Sequence, residues 1–187
     1  MIVKYKNQND IMNQKLKNSF EIEYIFENKP IKRFKNKPTI ENINSRLSDL
    51  QKKIENIKNC ELKDNAKQIV FSDGSFESSI MIVGEGPGQK EDELGKPFVG
   101  EAGQLLNKML NAIKLKRESV YITNVVNYRP PNNRKPEPSE INRYSEFLRE
   151  HISIIDPKIL ILMGSTAMEA MFGSKIKISK ERGVWKE

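Results

Sequence analysis

Three short apolar runs, each followed by a segment with helical periodicity, constrain the fold of this chain more than any other feature. The runs Ile80–Val83, Val120–Val125 and Ile159–Met163 have the length and composition of buried strands. Alternation of strands and helices favours a parallel sheet, because each helix returns the chain across the sheet and covers one face. The sequence therefore predicts an α/β fold, a parallel sheet flanked by helices on both faces.

The segments between these strands carry the helical pattern. We predict helices over roughly Gly103–Ile113, Ser139–Ile155 and Ser165–Phe172. Pro138 is typical of a helix start and Gly173 of a helix end. We expect the first helix to bury a face formed by its apolar residues, which are Leu105, Leu106, Met109, Leu110 and Ile113.

An N-terminal helical extension precedes the α/β region. Its apolar residues recur at spacings of 3, 4, 3, 4 and 3, and form one stripe: Ile40, Ile43, Leu47, Leu50, Ile54 and Ile57. Thr39 is the expected N-cap. We expect the helix to pack on the domain, since about two and a half heptads are too few for a coiled coil. The chain then divides into a basic, loosely ordered arm (1–38), an amphipathic helix (39–59) and a domain (60–187).

The positive charge lies mainly in the N-terminal part of the chain. The net charge is +7, and residues 1–60 hold 13 Lys and Arg against 7 Asp and Glu. The remainder holds 19 against 18. A bias of this kind is more often a solvated surface than a binding site, so charge by itself does not establish a nucleic-acid partner.

Two further features bear on the compartment. No stretch approaches the roughly 18 apolar residues of a membrane span, and the N-terminus lacks the core of a signal peptide. The single cysteine, Cys60, excludes an internal disulfide and fits a reducing environment. We expect a cytoplasmic protein with no membrane partner.

The loop after the first strand concentrates the residues that can do chemistry. Residues 84–103 contain six glycines and two prolines, and four acids fall within nine positions: Glu85, Glu91, Asp92 and Glu93. Glycine lets a backbone approach a flat ligand, and ligands of open parallel sheets bind where strands end. We interpret this segment as an active-site loop. A dinucleotide site is disfavoured, because the third glycine is misplaced and the acids would repel a pyrophosphate.

This loop and three further motifs resemble the uracil-DNA glycosylase superfamily, most closely its family 4. The other motifs are Val120–Val126, Arg129–Arg134 and Pro157–Gly164, which follow the family's order near its spacing. The resemblance runs from about Cys60 to the last residue. It implies a uracil-DNA glycosylase-like domain that removes uracil from DNA by hydrolysing the N-glycosidic bond. Uracil-containing DNA is then the expected partner, and we expect a monomer.

The resemblance also implies which residues form a base pocket. Phe98 matches the aromatic residue that stacks on uracil, and the backbone of Gly86 lines the pocket. Asn124 matches the reader of the base edge, since an amide can donate to O4 and accept from N3–H while cytosine presents the reverse pattern. A core phenylalanine and a turn asparagine at a strand end are the alternatives that stay open.

The resemblance further assigns the acids and the phosphate contacts. Glu91 matches the position that orients the attacking water, with Glu85 and Asp92 nearby, although these acids could also form a solvated loop face. The phosphate candidates are Arg129, Arg134, Lys135 and Ser165. A simple N-cap is the alternative role for Ser165, which follows the third strand.

The chain departs from the family where an iron–sulfur cluster is normally bound. The family uses four cysteines, and the matching positions here are Ile57, Cys60, Tyr128 and Tyr144. One thiolate cannot hold a 4Fe–4S cluster. We therefore predict no cluster and no other metal, with this region held by packing of the isoleucine and the two tyrosines.

A second departure concerns the histidine that the family uses to donate to the developing uracil anion. The family carries it in a His-Pro motif beyond the turn at Arg182-Gly183, so we expect a domain incomplete at its C-terminus. The one histidine here, His151, is expected at the surface of a helix or partly buried. Losing one such donor costs about 10²–10³ in rate. Three hypotheses follow: a slowed glycosylase, an inactive uracil- or DNA-binding remnant, or a split-gene fragment.

Overall fold

The computed structural model describes residues 40–173 and 177–186. The predictions for the arm at 1–38 and for Thr39 as N-cap lie outside these ranges. Within them the chain forms seven α-helices, four strands and two 3₁₀ turns. In chain order these are α1 (Ile40–Glu55), α2 (Glu61–Asn65), β1 (Asp73–Gly74), β2 (Ile80–Gly84), α3 (Gln89–Leu94), α4 (Glu101–Ala112), a 3₁₀ turn (Arg117–Ser119), β3 (Tyr121–Asn124), a 3₁₀ turn (Pro131–Asn133), α5 (Pro138–Ile155), β4 (Ile159–Leu162), α6 (Ser165–Phe172) and α7 (Ile178–Glu181).

The four strands form one sheet in the order β1-β3-β2-β4. β2 is central and pairs in parallel with both neighbours, so that Ile82 lies opposite Ile122 and Ile161. The antiparallel edge strand β1 was not predicted, because its two residues, Asp73 and Gly74, are too few to show a pattern. The predicted α/β fold is confirmed, with three parallel strands and one short antiparallel strand.

Alternation along β2 places the hydrophobic core on both faces of the sheet. Met81 and Val83 join the larger cluster, which includes buried residues of α1, α5 and α6. Ile82 points to the other face and packs with Leu106 and Leu110 of α4. Parallel sheets need cover on both faces, and the helices supply it. Within the described ranges, every helix is too short or too polar to cross a lipid bilayer.

The buried face of α4 is narrower than the sequence suggested. Leu106 and Leu110 are buried, whereas Leu105, Met109 and Ile113 are 59%, 53% and 65% exposed. The expectation that all five would be buried is wrong. A helix packed on one sheet buries a single stripe, and Leu105 and Met109 each lie about 100° around the axis from the buried residue that follows them. Ile113 comes after the last helical residue, Ala112.

His151 is fully inside the protein, and the expectation of a surface or partly buried residue is also wrong. It lies on the same stripe of α5 as Tyr144 and Leu148, and is 2% exposed. Its ring stacks on Phe71 at 4.6 Å, and Nε2 lies 2.7 Å from the Tyr121 hydroxyl. Burial lowers the pKa of His151 to about 3, so the imidazole is neutral near pH 7.

Candidate active site

A cavity of about 840 Å³ lies where β2 and β3 end. The last residues of these strands, Gly84 and Asn124, are paired in register and both face it. The rest of the lining comes mainly from the loop after β2, and consists of Glu85, Gly86, Gly88, Gln89, Lys90, Glu91, Glu93, Phe98, Gly100, Glu101, Ala102, Asn133 and Met163. The position is the one that parallel strand ends favour for ligands.

Phe98 and Asn124 meet over Gly84. A Cβ placed on Gly84 would lie 2.5 Å from both the Asn124 Oδ1 atom and the Phe98 Cζ atom. Glycine is therefore required here, because any side chain would occupy the space that the ring and the amide share. Asn124 is buried in the strand end, and the described residues supply no hydrogen-bond partner to its side-chain amide. Its donor and acceptor are available to a molecule in the cavity.

The Glu91 carboxylate holds the loop together. Glu91 lies in the first turn of α3 and is buried. Its Oε1 accepts hydrogen bonds from the backbone N–H groups of Val99 (2.9 Å) and Gly100 (2.7 Å), and Oε2 accepts one from Gly88 at 3.2 Å. These bonds connect the residue before α3 and the two residues before α4 to the first turn of α3. The sequence did not predict α3, which lies inside the segment interpreted as a loop.

Glu85 lines the cavity and is exposed, as are Glu93 and Glu101. The Glu85 carboxylate accepts a hydrogen bond from the hydroxyl of Thr166, which is buried at the start of α6. The bond joins the end of β2 to the helix after β4. The sequence motif pointed to Ser165 as a candidate and gave no role to Thr166. A threonine in the first turn of a helix that follows a strand end was the available signal.

Asp92 points away from the cavity. It is buried, and its Oδ1 accepts a hydrogen bond of 2.9 Å from the backbone N–H of Lys67. The Gln68 side chain donates to the backbone carbonyl of Asp92 at 3.1 Å. The structure therefore separates Asp92 from Glu85 and Glu91, although the three are close in sequence.

The candidate phosphate residues lie outside the cavity lining, and two of them are engaged within the protein. Arg134 forms a bidentate pair with Glu140 at 2.7 and 2.8 Å, which lowers the pKa of that carboxyl. Arg129 donates from Nε to the Asn133 Oδ1 atom at 2.7 Å, and Asn133 lines the cavity.

Lys135 and Ser165 come together on the surface. The Lys135 Nζ atom lies 3.5 Å from the Ser165 Oγ atom, although the two are 30 residues apart. A lysine beside a hydroxyl at the start of a helix has donors that suit a phosphate.

Comparison with known proteins identifies the family. The family model described as the uracil DNA glycosylase superfamily matches residues 71–186. The chain belongs to this superfamily. The resemblance seen in the sequence motifs is thereby confirmed, and the match includes the whole cavity lining.

Several curated relatives within the superfamily are described as type-4 uracil-DNA glycosylases. The protein of Thermotoga maritima is 45% identical over 125 residues, which are 66% of this chain and 65% of the relative. The protein of Archaeoglobus fulgidus is 40% identical over 126 residues, 67% of this chain and 63% of the relative. That of Sulfurisphaera tokodaii is 42% identical over 149 residues, 75% and 67%. The chain thus spans 63% to 67% of the length of these relatives.

The residues at the family's cluster positions do not fit an iron–sulfur cluster. Ile57, Cys60, Tyr128 and Tyr144 are buried in one core, with Cys60 Sγ 3.4 Å from the Tyr144 hydroxyl. Burial raises the pKa of Tyr128 to about 12 and raises that of Tyr144 as well, so both phenols are neutral near pH 7. Across the described ranges, no three His, Cys, Asp or Glu side chains are placed to hold a metal ion. One thiol among neutral apolar and phenolic groups cannot replace four thiolates.

Proposed function

We propose that this chain is a uracil-DNA glycosylase of family 4 type, which hydrolyses the N-glycosidic bond of uracil in DNA. The observation that carries the proposal is the meeting of Phe98 and Asn124 over Gly84 in the cavity at the strand ends. Membership of the superfamily supports it, and so does the similarity to relatives described as type-4 uracil-DNA glycosylases.

In this proposal the cavity receives a uracil that has been rotated out of the DNA stack. Phe98 stacks on the base, which contributes roughly 1–3 kcal/mol and offsets part of the cost of flipping. The Asn124 amide reads O4 and N3–H, and the backbone at Gly86 closes one side of the pocket. The amide can make both bonds, since the described residues leave it without a competing partner.

The acids take different roles in this site. The sugar becomes positively charged as the bond to uracil breaks, so a nearby carboxylate stabilises the transition state and can orient the attacking water. We assign this role to Glu85, because its carboxylate is exposed at the cavity and is aimed by Thr166. The assignment of the water to Glu91 stays a prediction, but its two oxygens already accept three backbone hydrogen bonds.

The DNA backbone is proposed to cross the surface near Lys135 and Ser165. A phosphate there would accept from the ammonium, the hydroxyl and the first N–H groups of α6. We assign Arg129 and Arg134 to shaping the adjacent loop, through Asn133 and Glu140 respectively. One chain supplies every proposed contact, so we propose that it acts as a monomer. We also propose that it acts in the cytoplasm, because its single cysteine fits a reducing compartment.

We also propose that the chain works without an iron–sulfur cluster. After expression with added iron, we expect the purified protein to contain far less than the four irons per chain of a 4Fe–4S cluster. A matched control restores cysteine at the other three positions, Ile57→Cys, Tyr128→Cys and Tyr144→Cys, and tests whether iron loading succeeds under the same conditions. Four irons per chain in the unaltered protein would contradict this proposal.

The function is tested by single-turnover uracil release from a uracil-containing oligonucleotide. We expect release by the unaltered chain, and a rate about 10²-fold lower for Asn124→Ala, because the base loses the groups that fix and polarise it. Asn142→Ala is the matched control, since Asn142 is exposed on α5 outside the cavity lining. No release at high protein concentration would overturn the proposal. Preferential binding of uracil-containing over ordinary DNA would then identify a binding protein.

A further inference from the structure

All three guanidinium nitrogens of Arg117, which lies just outside the cavity lining, donate hydrogen bonds within the protein. Its Nε donates to Asp73 Oδ2 at 2.8 Å, and Nη1 donates to the backbone carbonyl of Phe98 at 2.9 Å. Nη1 also lies 3.2 Å from Asn107 Oδ1, and Nη2 donates to the carbonyl of Pro97 at 2.6 Å. The side chain is only 16% exposed, so these bonds are shielded from water. Arg117 therefore holds in place the backbone of the residue that carries the Phe98 ring.

The backbone at Phe98 needs such support. Its φ of 52° is in the left-handed region, which is unfavourable for a bulky side chain and persists only where the surroundings enforce it. The Phe98 carbonyl also rests against the start of α4, where a Cβ on Gly103 would lie 1.9 Å from its oxygen. This conformation places the ring over Gly84. A relaxed backbone at Phe98 would carry the ring out of the cavity.

Arg117 is anchored by parts of the sheet that do not line the cavity. It begins the 3₁₀ turn before β3, and its ionic partner Asp73 belongs to β1, where it pairs with Ile122. Lys96 adds a second cation at 3.7 Å from the Asp73 carboxylate. The planar guanidinium bonds in several directions at once, which a lysine ammonium at the same place cannot match. The hydrogen bonds from Arg117 therefore fix the Phe98 backbone relative to the sheet.

We propose that Arg117 is a positioning residue for uracil excision, acting through the backbone of Pro97 and Phe98 and not through contact with DNA. The inference rests on the proposed function, in which Phe98 stacks on the flipped base. A role limited to stability would also follow from the ion pair with Asp73. The two are distinguished by asking whether the effect of Arg117 depends on the ring of Phe98.

The test is a double-mutant cycle in single-turnover uracil release. We expect Arg117→Gln to lower the rate by about 10- to 100-fold, the range for a misplaced stacking group. In a Phe98→Ala background, the same substitution should change the rate by less than about twofold, since the ring is already gone. Arg143→Gln is the matched control, because Arg143 holds the carbonyls of Asn59 and Lys58 at 2.9 and 2.5 Å. Its rate should stay near that of the unaltered protein.

A second readout does not depend on activity. With fluorinated phenylalanine incorporated, the Phe98 resonance, assigned through Phe98→Leu, should shift or broaden in Arg117→Gln and stay unchanged in Arg143→Gln. If Arg117→Gln does not fold, Arg117→Lys keeps the charge beside Asp73 and is used instead. Equal losses with and without the Phe98 ring, or an unmoved resonance, would overturn the inference. If the unaltered chain releases no uracil, the proposed function fails, and the resonance alone decides whether Arg117 positions Phe98.

Discussion

Gly84→Ala should nearly abolish uracil release while leaving the fold intact. The new methyl group would lie 2.5 Å from the Asn124 amide oxygen and from the tip of the Phe98 ring, so both side chains must move. Loss of the base-reading bonds together with the stack should lower the single-turnover rate by about 10³-fold or more. The backbone at Gly84 does not have positive φ, so alanine introduces no conformational strain there.

The cause of this loss can be separated from a general effect of the substitution. If alanine acts by displacing Asn124 and Phe98, then adding Gly84→Ala to a variant that already carries Asn124→Ala and Phe98→Ala should change the rate little. Thermal unfolding of Gly84→Ala should remain cooperative. A Gly84→Ala protein that releases uracil at the unaltered rate would show that the cavity is not the base pocket.

His151 should make the folded state sensitive to mild acid. The pKa of His151 is about 3 in the folded protein against an ordinary 6.5, because the buried imidazole is not solvated when charged. Below pH 6.5 the unfolded chain therefore takes up a proton that the folded chain refuses. The free energy of unfolding is unaffected by this group above pH 6.5, and falls by up to about 1.4 kcal/mol per pH unit between about 6.5 and 3.

The measurement is urea unfolding at pH 7 and at pH 5, compared between the unaltered protein and His151→Gln. Glutamine can still bond the Tyr121 hydroxyl, and His151 is the one histidine of the chain, so the substitution removes this titration alone. Carboxyl groups mostly titrate below pH 5, which is why the comparison stops there. We expect the unaltered protein to lose up to about 2 kcal/mol more than the variant across this interval. Equal losses would refute the assignment.

The architecture followed from local patterns because each pattern reports a buried face. The apolar runs at Ile80–Val83 and Ile159–Met163 became β2 and β4 with ends shifted by one residue, and the helix at Ser165–Phe172 has the predicted bounds. Short elements were missed, namely α2, β1, α3 and α7, because two to six residues carry too little periodicity. The error over α4 has another origin. An apolar residue in the sequence shows which side chains could be buried. The sheet that packs against the helix decides which of them are buried.

Some residues of the candidate site could likewise be predicted from the sequence, and others could not. The motifs and their spacing pointed to Phe98 and Asn124, and the fold brings the two together over Gly84. The sequence motifs indicated no role for Thr166 or Arg117. Each acts on a residue far away in the chain, Glu85 in one case and Phe98 in the other, and such partners have no local signature.

The sequence by itself determined the fold class, the family and the side chains available for chemistry, since periodicity and motif spacing are properties of the chain. Only the tertiary structure decided how those side chains are used. It engaged Glu91 with three backbone amides, turned Asp92 away from the cavity and left Glu85 facing it. Three acids of similar intrinsic chemistry thus received different surroundings. The physical reason is that hydrogen bonding and burial depend on which distant backbone groups the fold brings within about 3 Å.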